Sequence, residues 1–277
     1  MKKRNWILVS TMMVLLVTAG FRPTVKPDEL YDPCAINNWT FTGGEEITYK
    51  IYYNWNFMWL AAGEAVFRVY DEGDTYHLSV KGTTYKSYEW FFKVRDSYDT
   101  WVDKTTLLLK VAIRDVSEGN YKLYEKMIFD QENSKSTSYR GNTPKDAVKK
   151  EFRINDCMHD LISIIYHARN LEYEKFAKGQ EYPIKIFMDK EVWPLSVKYK
   201  GRYKQVTVKG GTKFKAFKFS PDVISGEVFK EGTQMDIWVS DDNNRIPVYI
   251  ESPVSVGSVK IVLKDYKGLK YPLTAKI

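Results

Sequence analysis

From Glu45 to the C-terminus, apolar and polar residues change places at almost every position, segment after segment. In EITYKIYYNW, Ile47, Tyr49, Ile51, Tyr53 and Trp55 fall on one side of an extended chain, and polar residues mostly occupy the other. AGEAVFRVY and TYHLSVKG continue the pattern across a DEGD turn, followed by RDSYDTWV, TLLLKVAIRDV, NYKLYEKMIFD and AVKKEFRI. YKSYEWFFKV reads as a short helix. Further strands are expected at YPIKIFM, VWPLSVKYKG, YKQVTVKG, TKFKAFKFSP, QMDIWVS, IPVYIES and GSVKIVLKDY, with glycines between them.

One stretch departs from this period. Between Asp156 and about Phe176, Met158, Leu161, Ile162, Ile165 and Ala168 recur three and four apart, which predicts an amphipathic helix. Asn155 or Asp156 would be its N-cap and Gly179 lies beyond its end. The expected fold is therefore mainly β: a curved antiparallel sheet or half-open barrel with one principal helix over residues 156–176. A two-sheet sandwich is the alternative. Aromatic residues make up 15% of the chain, a composition suited to broad strand faces. Residues 44–277 read as a single β-rich domain, with a split into two sub-sheets conceivable near the helix. Residues 20–43, with three prolines, read as an extended lead-in.

The first residues set the compartment. Lys2, Lys3 and Arg4 precede the uncharged run Trp6–Val17, and Val17-Thr18-Ala19 supplies small residues for cleavage. This is the pattern of a secretory signal peptide over residues 1–19, too short for a membrane anchor, and it predicts an exported protein of the periplasm or outer envelope. Loss of those residues lowers the positive surplus from seven to four, because they carry three basic side chains and no acidic one. So small a surplus excludes a nucleic-acid partner built on a concentrated basic face. Peripheral contact with an anionic membrane remains compatible with it. Cys34 and Cys157 would either pair after export or remain separate thiols. Without C-x-x-C spacing they make no structural zinc site.

Two clusters invite a chemical reading. SDDNN, residues 240–244, lies between two apolar runs, but its acids are consecutive and no central glycine follows, unlike a calcium loop. Neighbours in an extended chain point to opposite faces, so the stretch reads as a hairpin turn. On the predicted helix, Asp160, Ser163 and His167 form one polar stripe, not a triad, and no G-x-S-x-G or H-E-x-x-H occurs. Arg169, with Tyr166 and Tyr173 at i−3 and i+4, is placed to stack on a ring. The connection NWNFMWLAAG is unusually apolar. Trp55, Phe57, Met58, Trp59 and Leu60 are either core, or the rim of a curved sheet facing an acyl chain, a membrane surface or a sugar.

Three segments, GEEITYKIYYNWNFMWLAAGEA, DLISIIYHARN and the run from Thr212 to Leu263, together resemble an exported bacterial family known as domain of unknown function 3108, common in Bacteroidetes. The motif-like positions are Asp160, Ser163, Tyr166 and Arg169 in the helix, and Trp238, Ser240, Asp241, Asp242, Arg245 and Pro247 in the closing run. The resemblance implies an envelope protein and transfers no catalytic residue. A fainter similarity to the LolA, LolB and RseB group of periplasmic lipid-binding half-barrels implies an apolar cavity.

The reading that follows is a non-catalytic carrier of a lipid or acyl ligand, with no cofactor and no metal, its site formed by Trp55, Phe57, Met58, Trp59, Leu60, Tyr166 and Arg169. One rival is a structural or interaction protein meeting envelope glycan or an outer-membrane assembly. The other is a hydrolase, which requires Asp160, Asp241 and His77 to converge.

Overall fold

The computed structural model describes residues 35–55, 58–154, 157–223, 234–254 and 257–277. The expected signal peptide, most of the expected lead-in, Cys34 and both proposed cap residues Asn155 and Asp156 lie outside them.

Fourteen strands form one antiparallel sheet: β1 (Glu46–Trp55), β2 (Met58–Glu72), β3 (Thr75–Thr84), β4 (Arg95–Asp103), β5 (Leu109–Glu118), β6 (Tyr121–Asp130), β7 (Lys135–Gly141), β8 (Val148–Arg153), β9 (Glu181–Met188), β10 (Glu191–Thr207), β11 (Lys213–Pro221), β12 (Asp236–Ser240), β13 (Pro247–Pro253) and β14 (Ser258–Lys267). Their order is β8-β7-β6-β5-β4-β3-β2-β1-β14-β13-β12-β11-β10-β9. Two meanders, β1–β8 and β9–β14, therefore meet through β1 and β14, where Ile51 pairs with Ile261. The sheet is not closed into a barrel, and it is one sheet instead of the two a sandwich requires. Two expected strands are one long β10, bent at a register shift beside Gly201, whose φ of +119° a side chain rarely adopts. β7, polar along most of its length, has no counterpart in the sequence reading. YKSYEWFFKV forms consecutive turns, not a helix.

The sheet curls around the segment that leads from β8 to β9. Helix α1 spans Ser163–Arg169, and a 3₁₀ turn covers Tyr173–Lys175. The helix is thus two turns long, not the 156–176 of the sequence reading. The Asp160 carboxylate accepts from the Ser163 N–H at 2.7 Å, and the Ser163 hydroxyl faces the Asp160 N–H at 3.0 Å. That reciprocal pair begins the turn at Asp160. Before it, His159 runs extended beside β9: its N–H donates to the Lys185 carbonyl and its carbonyl accepts from Phe187. Met158 before the helix and Leu171 and Phe176 after it are buried without being helical, so apolar residues continue on both sides of the two helical turns.

Separate apolar clusters bind this segment to both meanders. Ile162 and Tyr166 pack with Phe41, which precedes β1, and with Val69, Leu78, Val80 and Val102 of the first meander. Leu171, Tyr173 and Phe176 pack with Tyr182, Tyr199, Phe217 and Phe219 of the second. Met158 joins β5 and β6 to Phe187 of β9. At the same seam Glu125, fully buried on β6, accepts from Arg114 at 2.5 Å, and Arg114 and Arg140 both reach Asp189 at 2.8 Å in the β9–β10 turn. Side chains thus bring together sheet ends that no strand ladder joins.

Candidate binding cleft and its polar frame

Strand β1 alternates as expected, and register shows which neighbours share its inner face. Ile47 lies opposite Phe67, Tyr49 opposite Ala65, Ile51 opposite Ile261, and Ile261 in turn opposite Ile250. Above these side chains sits α1. Ile47, Tyr49, Ala65, Phe67, Ile250 and Ile261 below, with Ile165, Tyr166, Arg169 and Pro247 above and beside, enclose a cleft of about 110 Å³. Continuing along β1, half-buried Ile51 and Tyr53, with their partners Ile261, Val259 and Leu60, extend the apolar strip to the hairpin tip. The hollow expected from the sequence is therefore small. Clefts that engulf a whole small-molecule ligand run to about 300–1,000 Å³.

The apolar connection divides between two faces. A register shift between Ile51 and Tyr52 inserts Ala62 on β2, so Leu60 and Met58 follow Tyr53 on the inner side. Trp59, opposite Asn54, lies on the outer side, with the Lys260 and Lys209 ammonium groups 4.4 and 5.8 Å from its ring centre. Trp59 is thereby removed from the expected ligand site. The Trp55 and Phe57 side chains lie outside the described residues.

Arg169 closes one end of the cleft and is committed to the frame. Glu45 continues the inner face of β1 by two residues and is 1% exposed; Arg169 is 3% exposed. Arg169 donates to Glu45 through Nη1 and Nη2 at 2.6 and 2.8 Å and through Nε to the Asn244 carbonyl at 3.1 Å. Its guanidinium stacks near Phe41 and Tyr166, 5.4 and 5.2 Å from the ring centres. Burial opposes its charge, but Glu45 outweighs that and raises the Arg169 pKa. Burial likewise raises the Tyr166 and Tyr49 phenols, so both stay neutral. Tyr173, the expected second stacking partner, instead lies 4.6 Å from Arg245. Arg245 is 4% exposed, faces Trp39 as well, and donates to the Leu171 carbonyl and Glu174.

The SDDNN stretch is the β12–β13 hairpin turn, as its composition predicted. Asp241 is held by Arg202 at 2.5 and 3.0 Å. Asp242 accepts from Ser240, from the Asn244 N–H and, through its second oxygen, from the Ala275 N–H. Asn244 exchanges hydrogen bonds with the backbone at Tyr271. The turn therefore fastens the C-terminal run to the sheet, and the Trp238 ring packs against Tyr249 at 4.9 Å, tilted by 34°, with Lys218 over its ring.

The three groups a hydrolase would need stand apart. Asp160 is buried with Thr100 and Ser163, and burial raises its pKa. His77 lies between Asp99 and Glu72 and is stacked on Trp101, while Asp241 faces Arg202. Burial, with a smaller electrostatic contribution from His159, lowers the His167 pKa to about 3, so the imidazole stays neutral. Among the described residues no three His, Cys, Asp or Glu side chains are grouped as metal ligands, and no helix is long and apolar enough to cross a membrane. Cys157 is buried and disulfide-bonded. A larger groove of about 500 Å³, lined among others by Glu46, Arg68, Asp71 and Lys267, is open surface whose charges are paired, Glu46 with both Arg68 and Lys267, and Asp71 with Lys104.

Nothing in the sequence tied Glu45 to Arg169, because the contact spans 124 residues.

The crystal structure of a beta-barrel-like protein of the domain of unknown function DUF1849 from Brucella abortus superposes with a TM-score of 0.53 at 9% identity, covering 82% of this chain and 98% of that one. At that identity the likeness is one of fold. A protein with YmcC-like fold from Bacteroides fragilis aligns over 84% of this chain and 100% of its own at 13% identity, with a TM-score of 0.29 too low to carry weight. A comparison with curated proteins returned no match. The model of the protein family of unknown function DUF3108 matches residues 48–264, and the chain belongs to that family.

Proposed function

We propose that the protein is a non-catalytic binding protein of the cell envelope whose inner sheet face takes the end of an apolar chain, such as a lipid acyl group. The observation that carries this is the unbroken apolar strip from Tyr53 and Leu60, through Ile51 and Ile261, into the cleft beneath Tyr166. Among the described residues its one charged lining residue, Arg169, has its hydrogen-bonding capacity turned to the frame. A cleft of this size admits a chain terminus, with the remainder lying along the half-exposed strip. The committed partners of Asp160, His77 and Asp241 support a binding role over a hydrolytic one.

Ala65→Trp tests this, because Ala65 lines the cleft floor and a larger side chain fills it. Native mass spectrometry of the exported protein should show a bound lipid, and titration with a fluorescent fatty acid should show binding that Ala65→Trp weakens at least about tenfold. A ligand-free spectrum with no uptake of the probe, or equal uptake by both proteins, refutes the proposal.

A further inference from the structure

Beside the open end of the strip, the turns between β3 and β4 present three consecutive aromatic side chains to solvent. Trp90 is 77% exposed, Phe91 49% and Phe92 43%. Large apolar side chains gathered at one place on a surface mark a contact site. The base of this projection is fixed. Tyr88 is buried, the Gly119 N–H donates to the Lys93 carbonyl, and the Tyr85 N–H donates to Ala62 of β2. Phe91 stacks on Tyr53 at 6.2 Å, which joins the projection to the β1–β2 hairpin, where Met58 is 60% exposed. The rings thus sit on a firm support and do not fold back into the core.

The surrounding charge selects the occupant. Exposed Lys86 and Lys93 flank the three rings and enter no ion pair among the described residues. Behind the hairpin, Lys50, Lys209 and Lys260 lie over the Tyr52 and Trp59 rings. Protruding rings with ammonium groups set behind them match the two layers of a bilayer surface, apolar below and anionic above. A protein partner would instead seat the rings in an apolar core ringed by a mixed polar rim, whereas the charges left unpaired beside these rings, Lys86 and Lys93, are of one sign. We infer that Trp90, Phe91, Phe92 and Met58 form a tip that inserts into the interface of an anionic lipid bilayer, with Lys86 and Lys93 at the headgroups.

This inference does not depend on the ligand reading, and one set of variants separates the two. Flotation of the mature protein with vesicles of phosphatidylcholine containing 30% phosphatidylglycerol should recover it in the lipid fraction. Trp90→Ser/Phe91→Ser/Phe92→Ser should lower the partition coefficient at least about tenfold through lost apolar burial. Lys86→Gln/Lys93→Gln should lower it about fivefold per lysine on these vesicles and hardly at all on pure phosphatidylcholine. Ala65→Trp should float like the wild type, because the cleft is not the anchor. Failure of the wild-type protein to float, or equal flotation of the serine variant with an unchanged circular dichroism spectrum, overturns the inference. So does a concentration-dependent dimer in sedimentation velocity that the serine substitutions abolish, which would make the tip an interface between copies.

Discussion

Replacing Arg169 by Met removes the cation at the centre of the frame while keeping an apolar stem of similar reach. Three consequences follow from the contacts. The Glu45 carboxylate, 1% exposed, loses both donors, at 2.6 and 2.8 Å. Removing one partner of a buried ion pair costs about 3–5 kcal/mol, because the remaining charge stays desolvated. The Asn244 carbonyl, which accepted at 3.1 Å, adds about 1 kcal/mol, and the stacks on Phe41 and Tyr166 are weakened. Partial relaxation offsets some of this, so a loss of about 4 kcal/mol is expected, a large part of the ~5–15 kcal/mol that holds a domain folded. Glu45→Leu alone leaves the opposite charge buried and should cost a similar amount. Arg169→Met/Glu45→Leu leaves no charge behind, so it should cost at least about 2 kcal/mol less than the two single losses added together. Urea unfolding followed by tryptophan fluorescence, with slopes checked for equality, provides all four corners of the cycle. If Arg169→Met costs under about 1 kcal/mol, or the cycle shows no coupling, the buried pair is not what joins the helix to the sheet.

Asp242→Ala should free the C-terminal run, since it removes acceptors for Ser240, Asn244 and Ala275; a loss of about 2 kcal/mol is expected, with faster hydrogen exchange at Ala275. Asp189→Ala should loosen the seam between the sheet ends, where burial is outweighed by Arg114 and Arg140, which hold the Asp189 carboxyl below its usual range; with solvent screening of the half-exposed carboxylate, a loss of up to about 1 kcal/mol is expected in thermal melts. Asp96 has its pKa raised to about 6 by burial and by Glu118 and Asp115, against an unfolded value near 3.8. The folded chain therefore holds the extra proton between those values, so its contribution to stability is complete below about pH 4 and disappears as pH rises through 6. With solvent screening, the effect is about 1 kcal/mol, and Asp96→Asn should flatten that part of the stability curve.

The alternation of Ile47, Tyr49, Ile51 and Tyr53 was legible because one face of the strand meets the core, and the Asp241–Asn244 turn was legible because its side chains have nowhere to go but the turn itself. The extent of the helix was not. Met158, Leu171 and Phe176 are buried from several sides, and under those conditions a spacing of three or four does not distinguish a helix from an extended run. The division of Met58, Trp59 and Leu60 between faces turns on one inserted residue, Ala62, which no pattern announces. Of the two rings expected beside Arg169, Tyr166 does stack on it, while Tyr173 serves Arg245. The projecting Trp90–Phe92 run read as helix, although three large rings between lysines were visible in the sequence.

Among the described residues, β1 with β14 is the one ladder whose strands are not consecutive in the chain. As the polypeptide emerges, eight strands can zip locally while the outer rim of β1 stays bare until the last strand arrives. During that interval Tyr49, Ile51 and Tyr53 border an unsatisfied row of amides, the template for mispairing with another nascent copy. A molecule shortened before Ser258 would keep that exposed border permanently, and insoluble aggregates, not a smaller soluble sheet, are what its expression should yield.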